Sequence, residues 1–310
     1  LNKSYSLGLS GWRPNSLGEA TSSNDMIFAE LENGFKQLNH VDLHILPVTW
    51  GAMEKNSDIY FNVLPELDFL LLHIYNGYSV IQNIEKARNK IKYQICSFIE
   101  HPQEKMDFTF GYLKNFEPNC YIPFPYSKEF MINKPKIPKT ILLESPHLLN
   151  GIPMLKWDIS EKLIMWLKPL IEENYRIYQL TTKKSIVDFV EPIIICNYEK
   201  YMESTSQIET FIQSHVGSYE HSIIDMVGRG IRTLIPENQL KNHTSTFIPT
   251  EIVYNLQLPV FTTQEEFLNI IRTPVDIDLW NSKINKMTEM KEVIKIIDNH
   301  FQEVLDKNDK

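Results

Sequence analysis

The sequence predicts an α/β fold in two domains, each a parallel sheet covered by helices, and three observations lead there. Strand-like and helix-like stretches alternate from one end of the chain to the other, the pattern of parallel sheets whose strands are joined by helices. The length of 310 residues is about twice that of a common single domain, so each half can bury a full core. A cluster of prolines near the middle interrupts the alternation, and a fresh series begins after it.

In the first half the strand candidates are Tyr5–Ser10, Val41–Val48, Asp68–Ile74, Lys92–Ile99 and Asp107–Leu113, each apolar and bounded by turn residues. Ser23–Leu38 carries Met26, Ile27, Ala29 and Phe35 at helical spacing behind Ser and Asp, so it reads as a capped amphipathic crossover helix. Ile81–Lys90 reads as a second, more charged helix. Pro118, Pro123, Pro125, Pro135 and Pro138 then remove backbone donors and favour extended backbone, which excludes a long helix or a central strand. The second series is Thr140–Glu144, the helix Asp158–Glu173, Arg176–Thr181, Pro192–Cys196, Glu209–Gln213, the helix Glu220–Val227 and Thr233–Ile235. A tail over Asn281–Asp306 has an apolar stripe of helical period and is expected to end the chain as one long helix. The expected organisation is a first domain over 1–118, a linker over 119–139, a second domain over 140–280 and a closing helix over 281–310.

Composition excludes several classes. With 43% hydrophobic and 23% charged residues the chain is far from the disordered regime. No apolar run approaches the roughly 20 residues of a membrane-spanning helix, and Leu1–Ser10 lacks the features of a signal peptide, so the expected location is cytoplasmic. Cys96, Cys120 and Cys196 are too few and too scattered for a disulfide framework or a paired-ligand zinc site. A net charge of -8 offers no overall attraction for phosphate backbones.

The most informative stretch is 209–236, ETFIQSHVGSYEHSIIDMVGRGIRTLIP, a buried strand that runs into a small-residue loop, a helix, Gly230 and another buried strand. Such a unit puts unpaired N–H groups and the positive end of a helix dipole at the carboxyl end of a parallel sheet, where anions bind. A diphosphate fits there. Ser222, in the first turn, can donate a hydroxyl hydrogen bond, and Asp225, one turn on, can accept from ribose hydroxyls. Plainer readings stand beside these: a strand-to-helix turn with a capping residue, a solvated helix carboxylate at Asp225, and a helix stop at Gly230. His215, His221 and Asp225 match no zinc signature, and Asp276 and Asp278 read as helix-start acids. His73, behind three leucines, is either a core residue or a candidate base, which needs a neutral imidazole with a hydroxyl in reach.

The same stretch resembles the GT-B superfamily of glycosyltransferases, through Gly217, Ser218, Tyr219, Glu220, His221, Ser222, Asp225, Gly228 and Gly230. The resemblance implies two Rossmann-like domains facing each other across a cleft, with Gly217–Ser222 on the donor diphosphate and Asp225 on the ribose. Asp225 stands where a Glu is usual, and Gly217 where many relatives carry a second Glu. The proline-containing linker 121–139 looks like the crossover these enzymes place before their second sheet. Gly8, Gly11, Trp12, Arg13 and Pro14 look like the cleft loop after the first strand, with Arg13 either clamping a phosphate or stacking on Trp12. Glu100 and His101 fall where many relatives carry a cleft-facing acid or histidine, and one of them would deprotonate the acceptor if the transfer inverts configuration. The implied donor is a nucleotide-sugar such as a UDP-sugar, used without a metal or other cofactor. The implied acceptor is a hydroxyl on a glycan, lipid-linked sugar, protein or modified nucleic acid. An epimerase or hydrolase of sugar-nucleotides on the same two-sheet plan, a non-catalytic two-lobed binding protein and a DNA-modifying glycosyltransferase of the phage kind fit the same elements.

Overall fold

The computed structural model describes residues 2–11, 23–47, 64–73, 87–98, 106–112, 114, 117–128, 134–143, 148–149, 152–153, 158–181, 188–194, 198–213, 221–237, 240 and 250–309. The chain divides into two units, the first made of Leu1–Lys128 and Thr288–Lys310, the second of Glu129–Met287. Each is built on a six-stranded sheet, and every neighbouring pair of strands in both sheets is parallel.

The first unit runs β1 (Tyr5–Gly11), α1 (Ser23–Lys36), β2 (Val41–Pro47), β3 (Leu67–His73), β4 (Ile91–Phe98), β5 (Phe108–Gly111) and β6 (Cys120–Tyr121), in the sheet order β2-β1-β3-β4-β5-β6. Its central strands are the apolar runs YSLGLSG and LDFLLLH, buried on both faces as strands of a covered parallel sheet must be. Gly8 and Gly11, read from sequence as following the first strand, lie inside it. In the proline-rich stretch the described residues pair as the two-residue strands β6 and β7 (Pro125–Tyr126), but the expectation that the prolines exclude a central strand fails at the far end, where Ile137 and Pro138 open the central strand β8 (Ile137–Leu143), with Pro138 at its second residue.

The second unit runs β8 (Ile137–Leu143), the short antiparallel pair β9 (Leu148–Leu149) and β10 (Ile152–Pro153), α2 (Asp158–Glu172), β11 (Arg176–Thr181), β12 (Glu191–Ile194), α3 (Tyr198–Thr205), β13 (Ile208–Ile212), α4 (His221–Gly228), β14 (Arg232–Pro236), α5 (Thr250–Asn255), β15 (Val260–Phe261), α6 (Gln264–Arg272) and α7 (Ile277–Ser282). The sheet order is β12-β11-β8-β13-β14-β15, the 3-2-1-4-5-6 order of a Rossmann sheet when its strands are counted in sequence. On one face Ile141, Leu143, Ile177, Ile212, Leu234 and Phe261 pack against Leu163, Leu167 and Leu170 of α2 and Phe267 and Ile271 of α6.

The closing segment is not one long helix. Asp276 caps α7, its carboxylate accepting from Leu279 N–H at 2.9 Å. A 3-10 turn follows over Lys283–Lys286, and the chain then extends as β16 (Thr288–Glu289), which pairs with β7. Only after this does α8 (Met290–Asn308) begin. The apolar stripe continues through the break, but Thr288 N–H bonds to Phe124 O at 3.2 Å, so a pairing distant in sequence overrides helix propensity. α8 packs on the first unit: Phe301 stacks on Phe69 with ring centroids 4.3 Å apart, and His300 on Phe108 at 3.7 Å. Burying a side chain such as Phe301 contributes about 1.5–3 kcal/mol. Among the described residues no helix is long and apolar enough to cross a membrane.

Candidate functional site

The chain lays β11 and β12 to one side of β8 and then returns to place β13 on the other side, so the second sheet reverses its strand order between β8 and β13. Open parallel sheets bind ligands outside the carboxyl ends of strands at such a reversal. There β13 ends at Ile212, and the next residue, Gln213, is fully buried with its N–H bonded to Leu234 O at 3.0 Å. The helix α4 opens at His221. In its first turn the Ser222 hydroxyl donates to Gln213 Oε1 over a long 3.4 Å, which ties the start of the helix to the end of the strand.

Asp225 lies one turn further and is 7% exposed, which removes the reading of a solvated helix carboxylate. Ile223, Ile224, Met226 and Val227 are also buried, so the middle of α4 is buried over more than a full turn, while Ser222 and Gly228 at its ends are half-buried. Its first turn contains no acidic residue, so no carboxylate of that turn offsets the positive end of its dipole.

The far end of α4 is closed tightly. Gly230 has φ +69°, its N–H bonds to Val227 O at 2.9 Å, and Ile231 N–H bonds to Met226 O at 3.0 Å, a Schellman stop. A Cβ at Gly230 would also strike the Asn281 side chain. Gly230 is therefore fixed by helix termination and packing. Beside it Arg229, fully buried, donates from Nε to Asp225 O at 3.1 Å, from Nη1 to Thr205 Oγ1 at 2.5 Å and to Met202 O at 3.4 Å, and lies over the Tyr201 ring. One guanidinium thus holds the carboxyl ends of α3 and α4 together, where the negative dipole ends favour a cation. Sequence reading passed over Arg229 and Gln213. The available signals were a polar residue directly after a buried strand and a basic residue at a helix end.

In the first unit Gly11 ends β1, in register with His73 at the end of β3. A Cβ at Gly11 would stand 2.5 Å from His73 O and 2.6 Å from the Phe28 ring, so the close approach of β1, β3 and α1 demands glycine. His73 is buried, and burial alone lowers its imidazole to about 4. Trp12, Arg13, Glu100, His101, His215 and Gly217, Ser218, Tyr219 and Glu220 lie outside the described residues, as does the side chain of His221. Among the described residues no group of three or more His, Cys, Asp or Glu is placed to hold a metal ion.

No protein-family model matches the sequence, and no curated protein matches it significantly. Solved structures do. An α-glucosyltransferase in complex with UDP is similar at 12% identity, over 94% of this chain and 95% of its own, with a TM-score of 0.54. The UDP-GlcNAc 2-epimerase of Neisseria meningitidis bound to UDP-GlcNAc is similar at 12% identity, over 97% and 99%, with a TM-score of 0.56. The N-terminal domain of a Candida albicans trehalose-6-phosphate phosphatase is similar at 10% identity, over 99% and 97%, with a TM-score of 0.64. The likeness covers nearly the whole chain while the sequences have diverged almost completely, so it speaks for architecture: the protein has the GT-B fold, with two Rossmann-like units in one chain.

Proposed function

We propose that the protein is a glycosyltransferase that moves a sugar from a nucleotide-diphosphate-sugar, a UDP-sugar in the first instance, to an acceptor hydroxyl. The observation that carries the reading is the start of α4 just beyond the carboxyl end of β13, at the strand-order reversal of a Rossmann sheet, in a fold whose solved neighbours include proteins bound to UDP and UDP-GlcNAc. The N–H groups at the amino end of α4, the Ser222 hydroxyl, its proton turned from Gln213 Oε1 to a phosphate oxygen, and the residues Gly217–Glu220 ahead of it would hold the diphosphate, with Asp225 on the ribose. As the glycosidic bond breaks, negative charge grows on the departing diphosphate. A preorganised helix end stabilises that charge without reorganising, as a bound cation does elsewhere. Glu100 or His101 would take the acceptor proton in an inverting transfer.

A thermal-shift panel of nucleoside diphosphates and nucleotide-sugars tests this. A ligand at about 100 times its Kd stabilises the fold by about 2.7 kcal/mol. Ser222→Ala, which removes a hydrogen bond to a charged group, should weaken the response about tenfold in affinity, and Asp225→Ala should weaken it for ribonucleotides. Variants that respond like the parent would remove the site. The epimerase neighbour supports a second reading, in which the donor sugar itself is rearranged or released. Incubation with donor alone separates the two: epimerised or hydrolysed donor supports the second reading, and turnover that needs an added acceptor supports transfer.

A further inference from the structure

Gln213 is the first residue beyond β13, and its backbone N–H still bonds to Leu234 O of the neighbouring β14 at 3.0 Å. The residue is fully buried, as are Phe211 and Ile212 before it, so an apolar side chain at 213 would simply extend the core. An amide enclosed in that place forfeits its hydration, which only hydrogen bonds can offset. One of those bonds joins Oε1 to the Ser222 hydroxyl at 3.4 Å. The two partners differ in access. Gln213 shows no surface, whereas Ser222, in the first turn of α4, is half-buried. A ligand at the start of α4 has access to residue 222 and none to residue 213.

We propose that Gln213 is a positioning residue for the diphosphate, acting through the Ser222 hydroxyl. The assignment rests on the nucleotide-diphosphate reading for the class of ligand, whereas the hydrogen bond and the difference in access are properties of this unit alone. A hydroxyl carries one proton and two lone pairs. In the structure the proton points to Gln213 Oε1. A phosphate oxygen only accepts, so on binding that proton turns to the ligand and leaves Oγ facing the amide with a lone pair. An amide serves both states, because a half-turn of its terminal torsion replaces Oε1 by an N–H donor. The chain from amide N–H to Oγ, and from the hydroxyl to phosphate, then polarises along its length and strengthens its outer bond. An apolar side chain at 213 offers neither partner, and the hydroxyl would turn back onto the backbone of its own helix.

Titration calorimetry with UDP compares the parent with Gln213→Met, Ser222→Ala and the double variant. Met is unbranched and fills irregular core space, so it keeps the packing and removes the amide. Ser222→Ala should weaken UDP about tenfold and Gln213→Met about fivefold. The double variant should bind no more weakly than Ser222→Ala alone, because the amide then has no hydroxyl to act through. Losses that multiply instead, to about fiftyfold, would mark 213 as a packing residue and overturn the inference. In 15N-labelled parent the side-chain amide resonances of Gln213 should shift when UDP is added, and far less in Ser222→Ala saturated with UDP. That readout does not require Gln213→Met to fold. Equal shifts in the two proteins, or Gln213→Met binding UDP like the parent, overturn the inference and leave the nucleotide reading standing. If UDP fails to bind the parent, or binds Ser222→Ala as it binds the parent, the site reading falls and takes this inference with it.

Discussion

The two units share a plan of six parallel strands, yet they fasten their helices by different physics. In the second unit, cations from other elements reach the carboxyl ends of helices. Lys139 Nζ donates to Glu173 O at 2.9 Å behind α2, and Lys136 Nζ to Ser206 O at 2.9 Å behind α3. Arg229 serves α3 and α4, and Lys283 Nζ donates to Leu256 O at 2.6 Å behind α5. Arg232 donates to Ile270, Ile271 and Thr273 carbonyls at 2.6–3.0 Å behind α6. In the first unit, rings hold α8 to the sheet, together with one buried carboxylate, Asp298, which accepts from Tyr5 OH at 2.7 Å and pairs with His40 Nε2 at 2.9 Å. Positive charge committed to the negative ends of helices leaves the opposite ends free to attract anions. In the second unit that is the premise of the diphosphate site proposed at the amino end of α4.

The comparison breaks most visibly at Arg229. Arg229→Ala leaves buried carbonyls unmet and opens a cavity, so a loss of about 3–5 kcal/mol in urea unfolding is expected. Arg229→Lys should recover little, because a point ammonium cannot span both helix ends. A change under about 1 kcal/mol would mean that the guanidinium does not organise this unit.

Acid should act through the first unit. The His73 imidazole, near 6.5 when unfolded and about 4 when folded, binds fewer protons in the folded state between those values. Its contribution is full above pH 6.5 and is lost as the pH falls through 4. It amounts to at most about 3 kcal/mol. His73→Phe should flatten the stability profile over that window, and an unchanged profile would show that the ring is accessible to protons when folded.

Tyr5→Phe removes one of the two contacts to Asp298 and should cost about 2 kcal/mol. The smallest effect belongs to the solvent-exposed pair Arg176 and Glu191, 3.1 Å apart. Replacing Arg176 with Gln should leave the unfolding midpoint within error, as high dielectric and salt screen such pairs.

Much of the fold was legible because buried parallel strands write themselves as apolar runs, as LDFLLLH and IETFI do. What escaped was non-local. The helix α3, YEKYMEST, has too little apolar periodicity to declare itself, and the break at Thr288–Glu289 exists only because β7 lies beside it. The capping box of α6, Thr263 with Glu266, was a local signal that the strand-centred reading passed over. At the candidate site the strand, helix and glycine stop could be read in order. The burial of Asp225 and the reach of Arg229 to α3 depend on packing between segments roughly 25 residues apart, which spacing along the chain does not encode.

The most direct test is a crystal structure with UDP bound. The account predicts the diphosphate within hydrogen-bonding distance of the N–H groups at the amino end of α4 and of the Ser222 hydroxyl, with the ribose beside Asp225. UDP seated elsewhere, with the start of α4 untouched, would contradict it.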